Sequence, residues 1–219
     1  MPFSCRALLL DLDGVLVDSE AAIEQRWRQW AAFRDVPFEE VEAVYHGRPA
    51  FEVIREVAPH LDADAETERM SDTVAAAPEK LSAFEGAAAL LAALPEGRWT
   101  IATSGRHRTA TNRLSHVGLP IPDALVTADD VERGKPHPEA YLLAAERLGV
   151  APEHCLVLED APAGVEAGRR AGAQVIGVAT ASPPEALSAA DLVVHEIGAL
   201  DAEVGADGRL HVHPVQRST

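Results

Sequence analysis

The sequence predicts an α/β protein built on a doubly wound parallel sheet, with a helical domain inserted after the first strand. Three observations support this fold class. The first apolar run, Ala7–Leu10, is unbroken, which suits a strand buried on both faces of a parallel sheet. From residue 84 onward, short apolar runs alternate with helical patterns, as in sheets whose strands are joined by right-handed helical crossovers. Residues 16–83 show helical periodicity without a convincing strand.

The inserted segment is predicted to contain four helices. The first carries Trp27 and Trp30 at helical spacing, and we interpret both as packing residues rather than as a stacking platform. Residues that favour helix starts and stops set the boundaries. The predicted starts are Asp18 or Ser19, Pro37, Pro49, and Asp62 or Asp64; the second helix stops near Gly47, and the fourth ends before Pro78.

The α/β core is predicted to comprise residues 1–15 and 84–219, and the helical domain residues 16–83. The helices of the core after residue 84 are predicted at Gly86–Leu94, Arg106–Val117 and Tyr141–Leu148, and the strands at Trp99–Ala102, Ala124–Val126, Leu156–Leu158, Val175–Val178 and Leu192–Val194. Residues 201–219 lack periodicity, and we interpret them as a loosely held tail.

Composition narrows the possible partners. The 219-residue chain is 47% hydrophobic and 25% charged, which is typical of a soluble globular protein. A formal net charge of -16 argues against nucleic acid and against anionic membranes, because both recruit basic surfaces. We see neither a secretory signal nor the roughly 18 apolar residues of a membrane span. We therefore expect a cytoplasmic monomer, in which Cys5 and Cys155 are buried, inert thiols.

Polar residues follow several predicted strands at the point where each strand ends. They are Asp11 and Asp13, then Thr103, Ser104 and Gly105, then Glu159 and Asp160, with Lys135 on a loop at the same edge. Because the carboxyl ends of parallel strands lie on one rim of a sheet, we expect these residues to converge there. The rim is where open α/β folds place their ligands.

The residue types on this rim suit phosphoryl transfer. Asp11 and Asp13 are two residues apart, so their carboxylates leave the same side of an extended chain and favour a cation between them. Oxygen ligands without a His or Cys cluster indicate Mg²⁺ rather than Zn²⁺. A calcium loop starting at Asp11 is excluded because Leu16 and Ala22 stand where it needs Gly and Glu, which leaves a simple polar turn as the structural alternative.

The motifs DLDGVLVDS, ATSG, GKPHPEAY and LEDAPAGVEAG resemble those of the haloacid dehalogenase superfamily, in the subgroup with a helical cap after the first motif. The resemblance extends to about Leu200 and implies a Rossmann-like core and a phosphoaspartyl enzyme. The implied roles are Asp11 as nucleophile, Asp13 as acid and base, Thr103 as phosphoryl ligand and Lys135 as neutralising cation, with Glu159 and Asp160 completing the Mg²⁺ site. We expect Mg²⁺ to be held by Asp11, the backbone carbonyl of Asp13 and Asp160, with Glu159 as a direct or an indirect ligand. The backbone amides of Ser104 and Gly105 are expected to bind the substrate by donating to phosphoryl oxygens.

By this resemblance we expect a Mg²⁺-dependent phosphatase of small phosphorylated metabolites, in particular sugar or polyol phosphates. The insert is expected to act as a lid, and Arg48 is our candidate for a substrate-binding residue that it contributes. Three alternatives stay open. A mutase of the β-phosphoglucomutase type would carry a His where this chain has Ile23, a phosphonate hydrolase would need a cap lysine such as Lys80, and a silent phospholigand-binding protein would not need Asp13.

Overall fold

The computed structural model describes residues 3–73 and 81–215. Lys80 and the predicted helix end before Pro78 lie outside the described residues. The strands are β1 (Phe3–Cys5), β2 (Ala7–Leu10), β3 (Val17–Asp18), β4 (Ser82–Ala83), β5 (Trp99–Ile101), β6 (Cys155–Glu159), β7 (Gln174–Val178), β8 (Leu192–Val194), β9 (Leu200–Val204) and β10 (Leu210–Pro214). The helices are α1 (Glu20–Arg34), α2 (Phe38–Glu42), α3 (Ala50–Val57), α4 (Ala63–Thr73), α5 (Ala87–Ala93), α6 (His107–Val117), α7 (Glu139–Arg147) and α8 (Pro162–Ala171).

The central sheet is parallel throughout, in the order β5-β2-β6-β7-β8. Every residue of β2 and β6 is buried, as their unbroken apolar runs predict. The chain adds β5 on one side of β2 and the later strands on the other, so the direction of winding reverses beside β2. The predicted α/β class with a doubly wound parallel sheet is confirmed, and ligands of such sheets bind at the carboxyl ends near this reversal.

The predicted strand Ala124–Val126 is wrong. Val126 makes a single isolated bridge with Ala102. Its backbone N–H donates to the carbonyl of Ile101, and its carbonyl accepts from the backbone N–H of Thr103. The preceding segment contains Pro120 and Pro122, which have no backbone N–H to donate to a ladder. The chain therefore touches the edge of the sheet without extending it.

The C-terminal segment is a second correction, because it is not a loose tail over the described residues 201–215. β9 and β10 form an antiparallel hairpin, and β10 pairs with β1 to complete a three-stranded sheet. Alternate residues of the hairpin are buried in the main core, namely Leu200, Ala202, Leu210 and Val212. This period-two pattern is typical of a strand with one buried face.

The helices α1–α4 pack around a core of their own, in which Trp27 and Trp30 are buried with ring centroids 5.5 Å apart. Their role as packing residues is confirmed. α2 ends at Glu42, earlier than predicted. One expectation is wrong: β3 and β4 pair as a two-stranded ribbon at the base of the segment, through Val17 with Ala83 and Asp18 with Ser82. The chain thus enters the helical segment through β3 and leaves it through β4.

Two smaller expectations concern cysteines and membranes. Cys5 and Cys155 are free and buried, and burial raises the pKa of Cys5 to about 12 and of Cys155 to about 11. Such thiols stay protonated at neutral pH and are poor nucleophiles, as expected. No helix in the described part of the chain is both long and apolar enough to cross a membrane.

Candidate active site

The end of β2 positions the first acidic pair. Asp11 follows the strand directly and donates its backbone N–H to the carbonyl of Leu158 on β6 at 3.0 Å. Gly14 then turns the chain with φ +80°, a conformation that favours glycine. A Cβ at this position would lie 1.9 Å from Oδ2 of Asp160. The motif therefore needs glycine both for its backbone and for the close approach of Asp160.

Lys135 lies at the centre of the rim. Its Nζ donates to Oδ1 of Asp11 at 2.8 Å, to Oε1 of Glu159 at 2.5 Å and to the carbonyl of Ala102 at 3.0 Å. The side chain is only 2% exposed. Burial alone would lower the pKa of Lys135, but the charges of Asp11 and Glu159 outweigh it and raise the pKa above its ordinary value. Lys135 is therefore a fixed positive charge beside Asp11.

Three buried carboxylates form an acidic cluster: the oxygens of Asp11, Glu159 and Asp160 lie within 4.8 Å of one another. Burial is the main cause that raises the pKa of Asp11 to about 7, although Lys135 opposes it. Burial and the charge of Glu159 raise the pKa of Asp160 well above its ordinary value. A single lysine does not balance three such carboxylates, so the cluster fits a divalent cation with oxygen ligands, of which Mg²⁺ is typical.

Glu159 differs from the other two acids because its oxygens are already engaged. Oε1 accepts from Lys135 and, at 2.6 Å, from the hydroxyl of Tyr141. Oε2 accepts from the backbone N–H of Asp160 at 3.1 Å. A Cβ on Gly164 would lie 1.8 Å from Oε1 of Glu159, so the glycine of the last motif makes room for it. Asp11 and Asp160 keep more oxygen capacity for a metal than Glu159 does.

Asp13 is held by two groups that sequence reasoning did not identify. Its Oδ1 accepts from the hydroxyl of Ser19 at 2.5 Å and forms an ion pair with the buried guanidinium of Arg113 on α6. Ser19 occupies the N-cap position of α1, but its side chain makes no capping bond. Its hydroxyl is directed to Asp13 instead.

The segment after β5 approaches the same rim. Thr103 is 3% exposed, and its Oγ1 accepts from the backbone N–H of Gly105 at 3.0 Å. Ser104 donates its hydroxyl to the carbonyl of Gly47, between α2 and α3, at 2.8 Å. The side chain of Ser104 therefore contacts the helical segment, and the backbone N–H of Gly105 is engaged with Thr103. The Thr103 hydroxyl and the Ser104 backbone amide are the groups of this segment best suited to a bound anion.

Arg48 also faces the cavity, but it is ion-paired within the helical segment. Its NH1 lies 2.8 Å from Oε2 of Glu56, and its Nε lies 3.9 Å from Oε2 of Glu52. Glu52 in turn accepts from the backbone N–H of Gly134 at 2.7 Å, next to Lys135. Arg48 thus lies at the cavity, as predicted, but its positive charge is already paired with the carboxylates of Glu52 and Glu56.

A cavity of about 400 Å³ lies between the helical segment and the end of the sheet. Asp11, Asp13, Thr103 and Asp160 line its floor, and Ile23, Arg26, Tyr45 and Phe51 line its roof. Its volume lies within the usual range of small-molecule sites. Most of the residues that were expected to converge line this cavity, and Lys135 and Glu159 join them through the contacts of Lys135 with Asp11 and Glu159. Arg26 and Arg113, which line the cavity, and Tyr141, which donates to Glu159, were not predicted from the sequence.

The family model for haloacid dehalogenase-like hydrolases matches residues 5–172, which is most of the chain and includes the whole acidic cluster. The chain belongs to this hydrolase family. The resemblance stated from the motifs is thereby confirmed. We refer to the protein below as the hydrolase and to α1–α4 as its cap.

Relatives of the hydrolase include several phosphatases. Hexitol phosphatase A of Escherichia coli is 44% identical over 88% of this chain and 92% of its own. Glycerol-1-phosphate phosphohydrolase 2 of Saccharomyces cerevisiae is 38% identical over 80% of this chain and 74% of its own. Among solved structures, a hydrolase from Pseudomonas syringae has a TM-score of 0.79 at 28% identity, covering 88% of this chain and 94% of its own.

The fold also resembles β-phosphoglucomutase from Clostridium difficile, with a TM-score of 0.74 over 89% of the hydrolase and 92% of that chain. The identity is 23%, so this likeness concerns the fold alone. In the hydrolase, Ile23 lines the cavity at the position where the sequence analysis expected the mutase histidine. An apolar side chain cannot exchange a proton there.

Proposed function

We propose that the hydrolase is a Mg²⁺-dependent phosphatase that cleaves small sugar or polyol phosphates through a phosphoaspartate. One observation carries the proposal. Asp11 and Asp13 line one cavity, and the buried Lys135 donates to Asp11 at 2.8 Å, so a nucleophilic carboxylate with its own cation and a second carboxylate share one site. The named relatives at 44% and 38% identity support the substrate class. The cytoplasmic and monomeric state expected from the sequence stays a prediction.

In the first step, a carboxylate oxygen of Asp11 attacks phosphorus and the bond between phosphorus and the substrate oxygen breaks. Ionised Asp11 needs no base for this attack, but it needs relief from repulsion by the phosphoryl oxygens, which Lys135 supplies at 2.8 Å. Asp13, in its protonated form, transfers its proton to the departing alkoxide. The products of this step are phosphoaspartate at Asp11, the free alcohol and ionised Asp13.

In the second step, Asp13 takes a proton from water while the water oxygen attacks phosphorus. The bond between phosphorus and Asp11 breaks, which releases inorganic phosphate and restores both carboxyl groups. Such acid-base help is worth about 10²–10⁴-fold in rate. A Mg²⁺ ion held by Asp11 and Asp160 would supply Lewis-acid stabilisation of the phosphoryl charge. The Thr103 hydroxyl and the backbone amide of Ser104 would donate to phosphoryl oxygens.

Asp11→Asn tests the proposal, because the amide keeps the shape and loses the attacking charge. With Mg²⁺ present, the wild type should release phosphate from p-nitrophenyl phosphate and from a panel of sugar and polyol phosphates. The variant should keep the circular-dichroism spectrum and lose turnover. Turnover within about tenfold of the wild type would remove Asp11 from its role, and activity on nucleotides or phosphoproteins alone would refute the substrate class.

A further inference from the structure

The cavity contains one guanidinium that the mechanism above does not use. Arg26 lies on α1 of the cap, one helical turn after Ile23, and lines the roof of the cavity. Its Nε is buried and has no hydrogen-bond partner. Nε of Arg113, whose side chain is 3% exposed, is likewise buried and unpaired on the core side of the same cavity. A buried donor without an acceptor is costly, and both of these side chains line one cavity, where a bound group could supply the acceptors.

The other cavity arginines show what is missing at Arg26. Each has a carboxylate partner: Arg48 pairs with Glu56, Arg55 with Asp64, Arg106 with Glu68, and Arg113 with Asp13. Within the described residues 3–73 and 81–215, Arg26 forms no ion pair and no hydrogen bond through its side chain. Among the arginines that line the cavity in the described part of the chain, Arg26 is thus the one whose side chain has no carboxylate partner.

The surroundings of Arg26 leave it charged but disfavour that charge. Burial and the charge of Arg113 lower the pKa of Arg26 to about 10, although Asp13 opposes them. At neutral pH the guanidinium is therefore still protonated, close to a second guanidinium. An anionic group placed between Arg26 and Arg113 would relieve this repulsion and supply the acceptors that both Nε atoms lack.

The position of Arg26 determines which part of a substrate it can contact. The transferred phosphoryl group belongs at Asp11 on the floor, whereas Arg26 belongs to the cap and faces the space beside Asp13. Asp13 is the group that protonates the departing alkoxide. A leaving group that takes its proton from Asp13 would therefore lie nearer to Arg26 than the transferred phosphoryl group at Asp11 would.

We propose that Arg26 determines substrate specificity by binding a second anionic group, a carboxylate or a second phosphate, on the sugar or polyol that leaves. The guanidinium fork matches both anions in a bidentate manner. The inference rests on the proposed phosphatase function and narrows its substrate class to sugar-acid phosphates and sugar bisphosphates.

Matched substrate pairs test this directly. Sorbitol 6-phosphate and 6-phosphogluconate differ only in the group at carbon 1, a hydroxymethyl in one and a carboxylate in the other. Fructose 1-phosphate and fructose 1,6-bisphosphate test the second phosphate. Arg26→Gln should lower kcat/KM for the preferred anionic member by roughly 10–100-fold, the usual effect of a charge-assisted hydrogen bond, and for its neutral partner by less than about threefold. Arg26→Lys, which keeps the charge, should recover part of the loss.

Arg28→Gln is the control, because Arg28 lies on the same helix, is 55% exposed in its side chain and pairs with Glu24 outside the cavity. Binding to Asp11→Asn, measured by calorimetry, provides a readout without turnover: adding Arg26→Gln should weaken only the anionic ligands. Equal effects on both members of a pair, or no effect of Arg26→Gln, would overturn the inference while leaving the phosphatase function intact. Absence of phosphate release from every substrate by the wild type would refute the phosphatase function instead, and the calorimetric comparison would still test Arg26.

Discussion

Replacing Lys135 by methionine removes a buried cation and keeps an unbranched side chain of similar length. Lys135 contacts the carboxylates of Asp11 and Glu159 at 2.8 and 2.5 Å, and all three side chains are at least nine-tenths buried. Removing one partner of a buried ion pair typically lowers the free energy of unfolding by about 3–5 kcal/mol, because the remaining charge stays buried without its partner. Glu159 keeps the donated hydrogen bonds of Tyr141 and of the Asp160 amide, so we expect about 3–4 kcal/mol.

The stability lost in Lys135→Met should increase as the pH rises. The pKa of Lys135 is raised above its unfolded value of 10.5, so its own contribution is fully present below that pH and does not vary between about pH 5 and pH 9. The pKa of Asp11 is already raised from 3.8 to about 7 by burial, and loss of the cation would raise it further. A raised carboxyl pKa destabilises the fold progressively as pH rises above the unfolded value. The loss should therefore be larger at about pH 8 than at about pH 5.5.

Urea unfolding of the metal-free protein measures this loss. With a slope of about 3 kcal/mol/M, the midpoint of Lys135→Met should fall by about 1 M at pH 8. The matched control is Lys135→Met with Glu159→Gln, which removes one of the stranded charges and should recover a large part of the stability. A midpoint within about 0.3 M of the wild type, or the same loss at both pH values, would refute the reasoning about the acidic cluster.

Two further predictions concern the metal and the cap. Because the pKa of Asp11 is raised to about 7, this carboxyl is mostly protonated at pH 5.5 and mostly ionised at pH 8, so millimolar Mg²⁺ should raise the melting temperature more at pH 8 than at pH 5.5. Asp160→Asn should reduce the shift, because it removes a second oxygen ligand of the cluster. An equal shift at both pH values in differential scanning fluorimetry would contradict this. Arg48→Ala should raise KM for a sugar phosphate by only about threefold to tenfold, because Glu56 and Glu52 already share its charge, with less effect on p-nitrophenyl phosphate. An equal rise in KM for both substrates would mean that Arg48 stabilises the cap and does not contact the sugar.

The convergence of the rim was predictable because it follows from chain topology. A parallel sheet brings the carboxyl ends of its strands to one side, so Asp11, Thr103 and Glu159 had to approach one another once the strands were identified. The glycines were predictable only in part. The sequence suggests a turn at Gly14, but the position of Asp160, which leaves no room for a Cβ on Gly14, depends on the pairing of β2 with β6 and cannot be read from either motif.

The C-terminal hairpin was missed for a different reason. Its alternation of buried and exposed residues covers only five residues in each strand, and the second strand carries His211 and His213 beside Leu210 and Val212. Such short patterns are weak indicators of a strand. β10 is stabilised by pairing with β1, some 200 residues away in sequence, and a pairing of that range has no local sequence pattern.

Arg26 and Arg113 were missed because their importance depends on orientation across separate elements. Each lies on a helix, where an arginine normally faces solvent. The pairing of Arg113 with Asp13 requires α6 to turn one face to the end of β2, and the exposure of Arg26 to the cavity requires the cap to lie over the sheet. These are tertiary relations between helices whose existence was predictable and whose rotation was not.

The places where local structure departs from its own preferences coincide with the candidate site. Ser19 occupies an N-cap position, yet its hydroxyl donates to Asp13, so α1 forgoes a capping bond worth about 1 kcal/mol. Asp11 and Asp160 are buried beside one another, against the general cost of burying like charges. Nε of Arg26 lacks an acceptor. Each of these features is unfavourable for folding, and all of the residues concerned line one cavity. This is expected if a bound phosphate ester and a metal ion supply the interactions that the fold leaves unmade.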